Sequence, residues 1–269
     1  MYFDGHVHCD TADKSLWKAF FAVLEESETK AVLCTAGKHT NHSLASNETT
    51  LECANAAPDN IVPYAYFDLW EYINSHDVEK FRELGFRGLK CITPYHEYDH
   101  DIYMPIYEMA EKLSMPILFH TGSFFPAASH AVSKRPFLKN MRPLTIDRIA
   151  RSFQNLKIVM AHMGTTCFRH EASKLVKMHN NIYTDLAGSG SWMAIQPTEL
   201  RDLLSVSMRE IDAEFTGFHK LLLGSDAYVS KPEIISNAQD WYNRTLDRIG
   251  VPPKLKEKIM GGTLELWLQ

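Results

Sequence analysis

Eight short runs rich in apolar and β-branched residues recur along the chain, and the stretches between them carry the spacing of amphipathic helices. The runs are "YFDGHVH" (2–8), "KAVLCTA" (30–36), "IVPYAYF" (61–67), "FRGLKCI" (86–92), "PILFHT" (116–121), "KIVMAH" (157–162), "IYTDLA" (182–187) and "KLLLGSDA" (220–227). Helical patterns occupy 12–27, 43–57, 71–84, 103–114, 144–153, 166–178 and 198–215, and continue over 232–248 and 254–268. Apolar strands that alternate with helices belong in a parallel sheet covered on both faces. Eight such units in a chain of 269 residues predict an α/β fold, one TIM-type (β/α)8 barrel domain spanning 1–269. An open doubly wound sheet would place a glycine-rich phosphate turn after its first strand, and "GHVHCDTADKS" offers none. Pro63 interrupts the third run, which a strand tolerates near its start or at a bulge.

Composition removes several classes of function. Hydrophobic residues at 45% and charged residues at 23% are ordinary for a globular protein, and no apolar run approaches the roughly 20 residues that span a bilayer. The first residues lack the basic segment and apolar run of a secretory signal, so a cytoplasmic protein is expected. A net charge of -5 argues against a nucleic-acid partner, and the one local basic cluster, "SKRPFLKNMR" (133–142), is short. The five cysteines, Cys9, Cys34, Cys53, Cys91 and Cys167, contain no Cys-x-x-Cys pair, which disfavours both a disulfide framework and a thiolate zinc site. The expected partner is a small molecule; the oligomeric state, a homo-oligomer included, is left open.

The polar residues that close the strands carry the chemistry. His6 and His8 end the first run, Lys90 lies in the fourth, His120 ends the fifth, His162 the sixth, and Asp226 the eighth. In a parallel barrel the carboxyl ends of all strands meet at one face, where active sites are built. Strand parity points His6 and His8 the same way, with Val7 opposed. A lone His-x-His reads as an ordinary strand end, and His120 or His162 alone as a core histidine. Four imidazoles and a carboxylate converging on one mouth, however, would demand costly desolvation unless a divalent cation drew them together, and neutral imidazole and carboxylate are natural zinc ligands. The same parity turns Cys9 and Cys91 away from the faces of His8 and Lys90.

These residues resemble those of the amidohydrolase superfamily. The phrases "DGHVH", "GFRGLK", "ILFHTG", "VMAHMG", "LLLGSDA" and "GGTLELW" are most similar to its amidohydrolase-2 branch, which includes 2-amino-3-carboxymuconate 6-semialdehyde decarboxylase and lactone hydrolases. The resemblance implies that His6, His8, His120 and Asp226 hold one divalent metal, expected to be Zn²⁺, with His162 beside its water. In other members the fourth-strand lysine is carboxylated and bridges two metals, which would recruit Lys90, His120 and His162 to a second ion; otherwise Lys90 reaches into the mouth to hold substrate. The implied activity is hydrolysis of a small amide, lactone or ester by a metal-activated water, with His162 and Asp226 moving the proton; the alternative is a non-oxidative decarboxylase using the same site.

Specificity is expected from the long segments 122–142 and 93–101, candidate lids after the fifth and fourth strands. Arg135, Lys139 and Arg142 are candidates to pair with a substrate carboxylate, and Trp192 to wall the pocket. His96, His100 and His130 read as surface loop histidines.

Overall fold

In a computed structural model, with residues 1–35, 44–124, 137–188, 191–205 and 216–268 described, the eight runs form a single parallel sheet curled into a barrel. The strands are β1 (Tyr2–His8), β2 (Thr29–Cys34), β3 (Ile61–Tyr66), β4 (Gly88–Cys91), β5 (Ile117–His120), β6 (Ile158–Ala161), β7 (Ile182–Asp185), β8 (Leu221–Leu222) and β9 (Ala227–Tyr228), in the order β8-β7-β6-β5-β4-β3-β2-β1-β9. Successive strands from β1 to β7 are joined through helices α1 (Lys14–Glu26), α2 (Asn47–Asn55), α3 (Ser75–Glu83), α4 (Met104–Lys112), α5 (Ile146–Ser152) and α6 (Thr165–Met178). Helix α7 (Pro197–Leu204) precedes β8, and α8 (Glu233–Ile249), α9 (Pro253–Glu257) and α10 (Thr263–Leu268) follow β9. None of the helices among the described residues is long and apolar enough to cross a membrane.

Local chemistry accounts for the elements. Asp13 caps α1 by accepting the N–H of Ser15, and Trp17, Phe20 and Leu24 form the buried stripe that docks the helix on the sheet. Helix α8 buries Ile235, Ala238, Tyr242, Leu246 and Ile249, and ends where Gly250 adopts φ 83°. Helix α7 ends at Leu204, short of the expected 198–215; residues 206–215 lie outside the described ones.

The eighth run, expected as one strand over 220–227, is divided. Its first part pairs Leu221 and Leu222 with Thr184 and Asp185 of β7, and its second pairs Ala227 and Tyr228 with Val7 and His8 of β1. Between them the ladder is left, although Gly5 N–H donates to Leu223 O and Asp226 N–H to His6 O, both at 2.9 Å. The segment thus reaches both edges of the sheet and closes it. The departure is local to Asp226, whose φ of 63° is left-handed and incompatible with a continuing strand.

Alternation along each strand separates two environments. Ile117, Phe119, Ile158 and Met160 face the helices, while Leu118, Val159, Tyr183 and Leu222 meet Phe3, Val32 and Tyr64 inside the barrel. Val7 and Cys9 pack outward with Trp17, Phe20 and Leu24, leaving His6 and His8 on the inner side. Phe3 and His6 are an odd number of residues apart, and both can reach the interior because the β1–β2 register shifts between Asp4 and Val7. The lower barrel is therefore an apolar plug, and the polar residues sit above it at the carboxyl ends.

Gly88 makes room for that plug. A Cβ there would lie 2.4–2.6 Å from three ring atoms of buried Tyr64. Gly88→Ala should force the ring from its place and cost about 1–3 kcal/mol, the scale of core overpacking. Urea denaturation of the two proteins measures the difference, and an unchanged midpoint would mean that the plug yields freely.

Candidate metal centre

His6 and His8, two residues apart on β1, converge on one atom. Asp226 Oδ1 lies 3.5 Å from His6 Nε2 and 3.1 Å from His8 Nε2. The left-handed backbone of Asp226 aims its carboxylate at them, and its own N–H is fixed by His6 O. Gly188 backs the carboxylate, since a Cβ there would stand 2.6 Å from Asp226 Oδ2, and its φ of 83° suits glycine. At 23% exposure the Asp226 side chain is the most open of this group, and it faces the mouth.

His120 and His162 complete the imidazole cluster. His162 Nε2 is 3.0 Å from His120 Nδ1, and the His162 ring lies 5.1 Å from that of His6. The chain turns sharply after β6, where His162, Met163 and Thr165 have φ of 65°, 44° and 51°. The outward nitrogen of each ring finds an acceptor: His162 Nδ1 meets Ala187 O at 2.8 Å, His120 Nε2 meets Ser123 O at 3.3 Å, and His6 Nδ1 meets Asp185 Oδ2 at 3.1 Å. For His6 a hydrogen on the outward nitrogen leaves a lone pair on the inward one, the state a metal ligand requires, whereas His162 Nε2 and His120 Nδ1 face each other, so one hydrogen or one cation must lie between them.

Asp185, at the end of β7, and Lys90, on β4, extend the network. Lys90 is 1% exposed, and its ammonium donates to His6 Nε2 at 2.8 Å. Asp185 is equally buried and accepts the backbone N–H of His162 through Oδ1 at 2.8 Å. Cys34 also enters, its Sγ 3.8 Å from His8 Nδ1. It is one of five free cysteines, of which Cys9, Cys34, Cys53 and Cys91 are buried and Cys167 is exposed.

Charge states follow from these contacts. Burial, reinforced by Lys90, pulls His6 down to about 3, and burial with His162 and Lys90 holds His120 well below the usual histidine range. Burial would raise Asp226, but the His8 hydrogen bond and the surrounding histidines hold it well below the ordinary carboxylate range. Burial likewise opposes ionisation of Asp185, and His6 and His162 outweigh it. His8 is the exception: burial lowers it, yet Cys34 and Asp226 raise it to about 9, so its proton is shared with Asp226 and must leave when a cation takes Nε2.

The residues present fit a divalent cation. Ligand atoms held at about 2.1 Å from one ion lie roughly 3.0–3.4 Å apart, and the His6, His8 and Asp226 atoms are spaced at 3.1 and 3.5 Å. Ligand-capable atoms of His6, His8 and Cys34 lie within 4.8 Å of one another, as do those of His6, His162 and Asp185. His120 joins through His162.

The other expected residues make contacts of their own or lie outside the described chain. Arg142, expected to pair with a substrate carboxylate, forms a two-pronged ion pair with Glu171 of α6, at 2.5–2.9 Å. Trp192 is buried and donates its indole N–H to Ser225 O. Lys139 lies 3.6 Å from Glu97. His96 and His100 stack at 4.0 Å on the loop after β4. Arg135, His130 and most of the 122–142 segment lie outside the described residues.

Residues 45–263 match the family model described as "Amidohydrolase". No curated protein matches the chain. Among solved structures, 2,6-dihydroxybenzoate decarboxylase from Rhizobium superposes with a TM-score of 0.62 at 15% identity, over 99% of this chain and 98% of that one. A probable 2-pyrone-4,6-dicarboxylic acid hydrolase from Acinetobacter baumannii gives 0.63 at 13% identity, over 99% and 98%. The 5-carboxyvanillate decarboxylase from Novosphingobium aromaticivorans, complexed with manganese and a nitrobenzoic acid, gives 0.58 at 13%, over 99% and 96%. At such identities the likeness establishes the barrel.

Asp4 supports the site from below. The β1 irregularity and the break after β8 free two backbone N–H groups, of His6 and Ser225, and Asp4 Oδ1 accepts both at 3.1 Å. Its Oδ2 is buried without a hydrogen bond, and burial pushes the carboxyl up to about 7 against the opposing pull of the Ser225 side chain and those two N–H groups. Between the ordinary 3.8 and about 7 the folded protein keeps a proton that the unfolded chain has released, so this contribution to stability falls as pH rises through that window. Asp4→Asn keeps the Oδ1 acceptor and has no proton to lose. From about pH 5 to about pH 8 it should gain on the wild type by about 2–4 kcal/mol, read from urea midpoints. A difference independent of pH would exclude titration of Asp4.

Proposed function

Because the chain belongs to the amidohydrolase family, we propose that it is a metal-dependent hydrolase of a small carbonyl compound, an amide, lactone or ester. The observation that carries this reading is the meeting of His6 Nε2 and His8 Nε2 on Asp226 Oδ1 in a barrel mouth that also holds His120 and His162. His6, His8, His120 and Asp226 are the residues that would hold the cation, and Zn²⁺ suits their nitrogen and carboxylate donors, with manganese as the alternative. When bound, such a cation acidifies water and polarises a carbonyl.

The protein's own groups do the rest. His162 is anchored through Nδ1 by Ala187 O, so Nε2 is the atom available to take a proton from the attacking water. Asp226, its carboxylate ionised and partly open to the mouth, relays that proton, so the one His162 removes from the water is the one the leaving group gains. Lys90, unmodified, offers a buried positive charge to an oxygen of the substrate. Decarboxylation is the second reading. Two of the structural neighbours are decarboxylases, and the same cation and Lys90 could seat a carboxylate to be lost as carbon dioxide.

The deciding experiment strips the protein with a chelator, restores Zn²⁺ or Mn²⁺, and presents lactones, esters, amides and hydroxybenzoates while following protons and carbon dioxide. Hydrolysis of an ester or lactone yields acid without carbon dioxide; decarboxylation yields carbon dioxide. Protein that takes up no stoichiometric divalent metal would overturn both readings. With a substrate in hand, metal-saturated Asp226→Asn should turn over at least ~10²-fold more slowly, the lower scale of general acid–base contributions. Near-normal turnover would leave His162 as the sole base.

A further inference from the structure

The network around His6 contains two partners whose chemistry is fixed. Lysine has donors only, so the 2.8 Å contact from Lys90 Nζ requires a lone pair on His6 Nε2. The His6 proton must then be on Nδ1, where it meets Asp185 Oδ2 at 3.1 Å. The other oxygen of the same carboxylate is engaged as well. Asp185 Oδ1 accepts the N–H of His162 at 2.8 Å and that of Ala187 at 3.0 Å. His162 is the left-handed residue at the turn after β6, with φ 65°, and Ala187 supplies the carbonyl that anchors its ring.

We propose that Asp185 is a positioning residue for both halves of the centre, holding His6 in the Nδ1–H tautomer through Oδ2 while clamping the His162 turn through Oδ1. This rests on the metal-centre reading above in one respect: the lone pair so presented is the one a cation would take. One carboxylate on β7 thereby couples a ligand on β1 to the proton acceptor after β6. Loss of either contact disturbs a different part of the reaction.

Asparagine at this position separates the tautomer role from mere packing. The two N–H groups on the Oδ1 side require a carbonyl oxygen, so the amide of Asp185→Asn must turn its NH₂ toward His6 Nδ1. Two donors would then face each other. Neither tautomer of His6 then escapes a conflict, since a proton on Nδ1 meets that NH₂ and a proton on Nε2 meets the Lys90 ammonium, so the preference for Nδ1–H is lost. Size, shape and the His162 clamp are retained, and the tautomer is no longer held.

The test uses protein carrying ¹⁵N-labelled histidine, with the His6 signals identified by their loss in His6→Gln. In the metal-free wild type, long-range ¹H–¹⁵N spectra should show His6 protonated at Nδ1 and bare at Nε2; the opposite pattern overturns the proposal without any Asp185 variant. In Asp185→Asn the Nε2–H form should appear beside Nδ1–H, and chelator competition should show Zn²⁺ held about 10–100-fold more weakly, the scale of lost support behind a metal ligand. An unchanged His6 pattern or wild-type affinity in that variant overturns it. Should Asp185→Asn fail to fold by circular dichroism, the wild-type spectrum decides. Wild-type protein that binds no Zn²⁺ would sink the metal-centre reading, and the His6 spectra would still uphold or refute the role of Asp185.

Discussion

A buried carboxylate persists only where donors surround it, and the upper half of this barrel is organised by that requirement. Asp185 and Asp226 are encircled by imidazoles and backbone N–H groups and remain ionised. Asp4, with two backbone N–H groups donating to one oxygen and the other oxygen bare, holds its proton up to about 7. The histidines obey the complementary rule: the outward nitrogens of His6, His120 and His162 each meet an acceptor, and the proton on His8 Nε2 meets Asp226. Removing any single member would strand its partners in a medium with few alternatives, which makes the set interdependent.

Regular secondary structure gives way where these groups must meet. The sheet is conventional from β2 to β7, and its irregularities gather at the junction of first and last strands and at the turn after β6. His162 and Asp226 both sit in left-handed backbone, which side chains other than glycine enter at a cost. The surrounding hydrogen bonds offset that cost: Asp185 holds the N–H of His162, and His6 O holds that of Asp226. Gly188 contributes by omission, keeping clear the space that Asp226 Oδ2 occupies.

Much of this could be read from the chain. The β/α rhythm gave the barrel because each apolar run is too short for a helix and each intervening stretch has a helical stripe, and His6, His8, Lys90, His120 and His162 were placed by the rule that strand ends share one face. The same rule points to Asp185, which closes "IYTDLA" as His120 closes its own run; acidic residues are common at strand ends, so only its contact with His6 distinguishes it. The division of "KLLLGSDA" was not legible, because nothing in its composition opposes a continuous strand and the break comes from Asp226 turning to the histidines. Cys34 and Asp4 were hidden for a related reason: their neighbours, His8 and Ser225, are distant in sequence. Arg142 meets Glu171 of α6, a partner its own sequence neighbourhood does not announce.

The closure of the barrel has a consequence for the order in which the molecule comes into being. Asp4 and Ser225, which fasten the seam, are separated by 221 positions, and His8 and Tyr228 pair across a similar interval. During synthesis the two histidines of β1 emerge first, and the acidic residue they share emerges only after seven further strands have been made. A nascent chain can assemble much of its sheet from neighbour to neighbour, yet its first strand has one edge exposed throughout that time. The centre is thus completed as the ring shuts, so a chain interrupted before residue 226 would display the histidines with no anion between them.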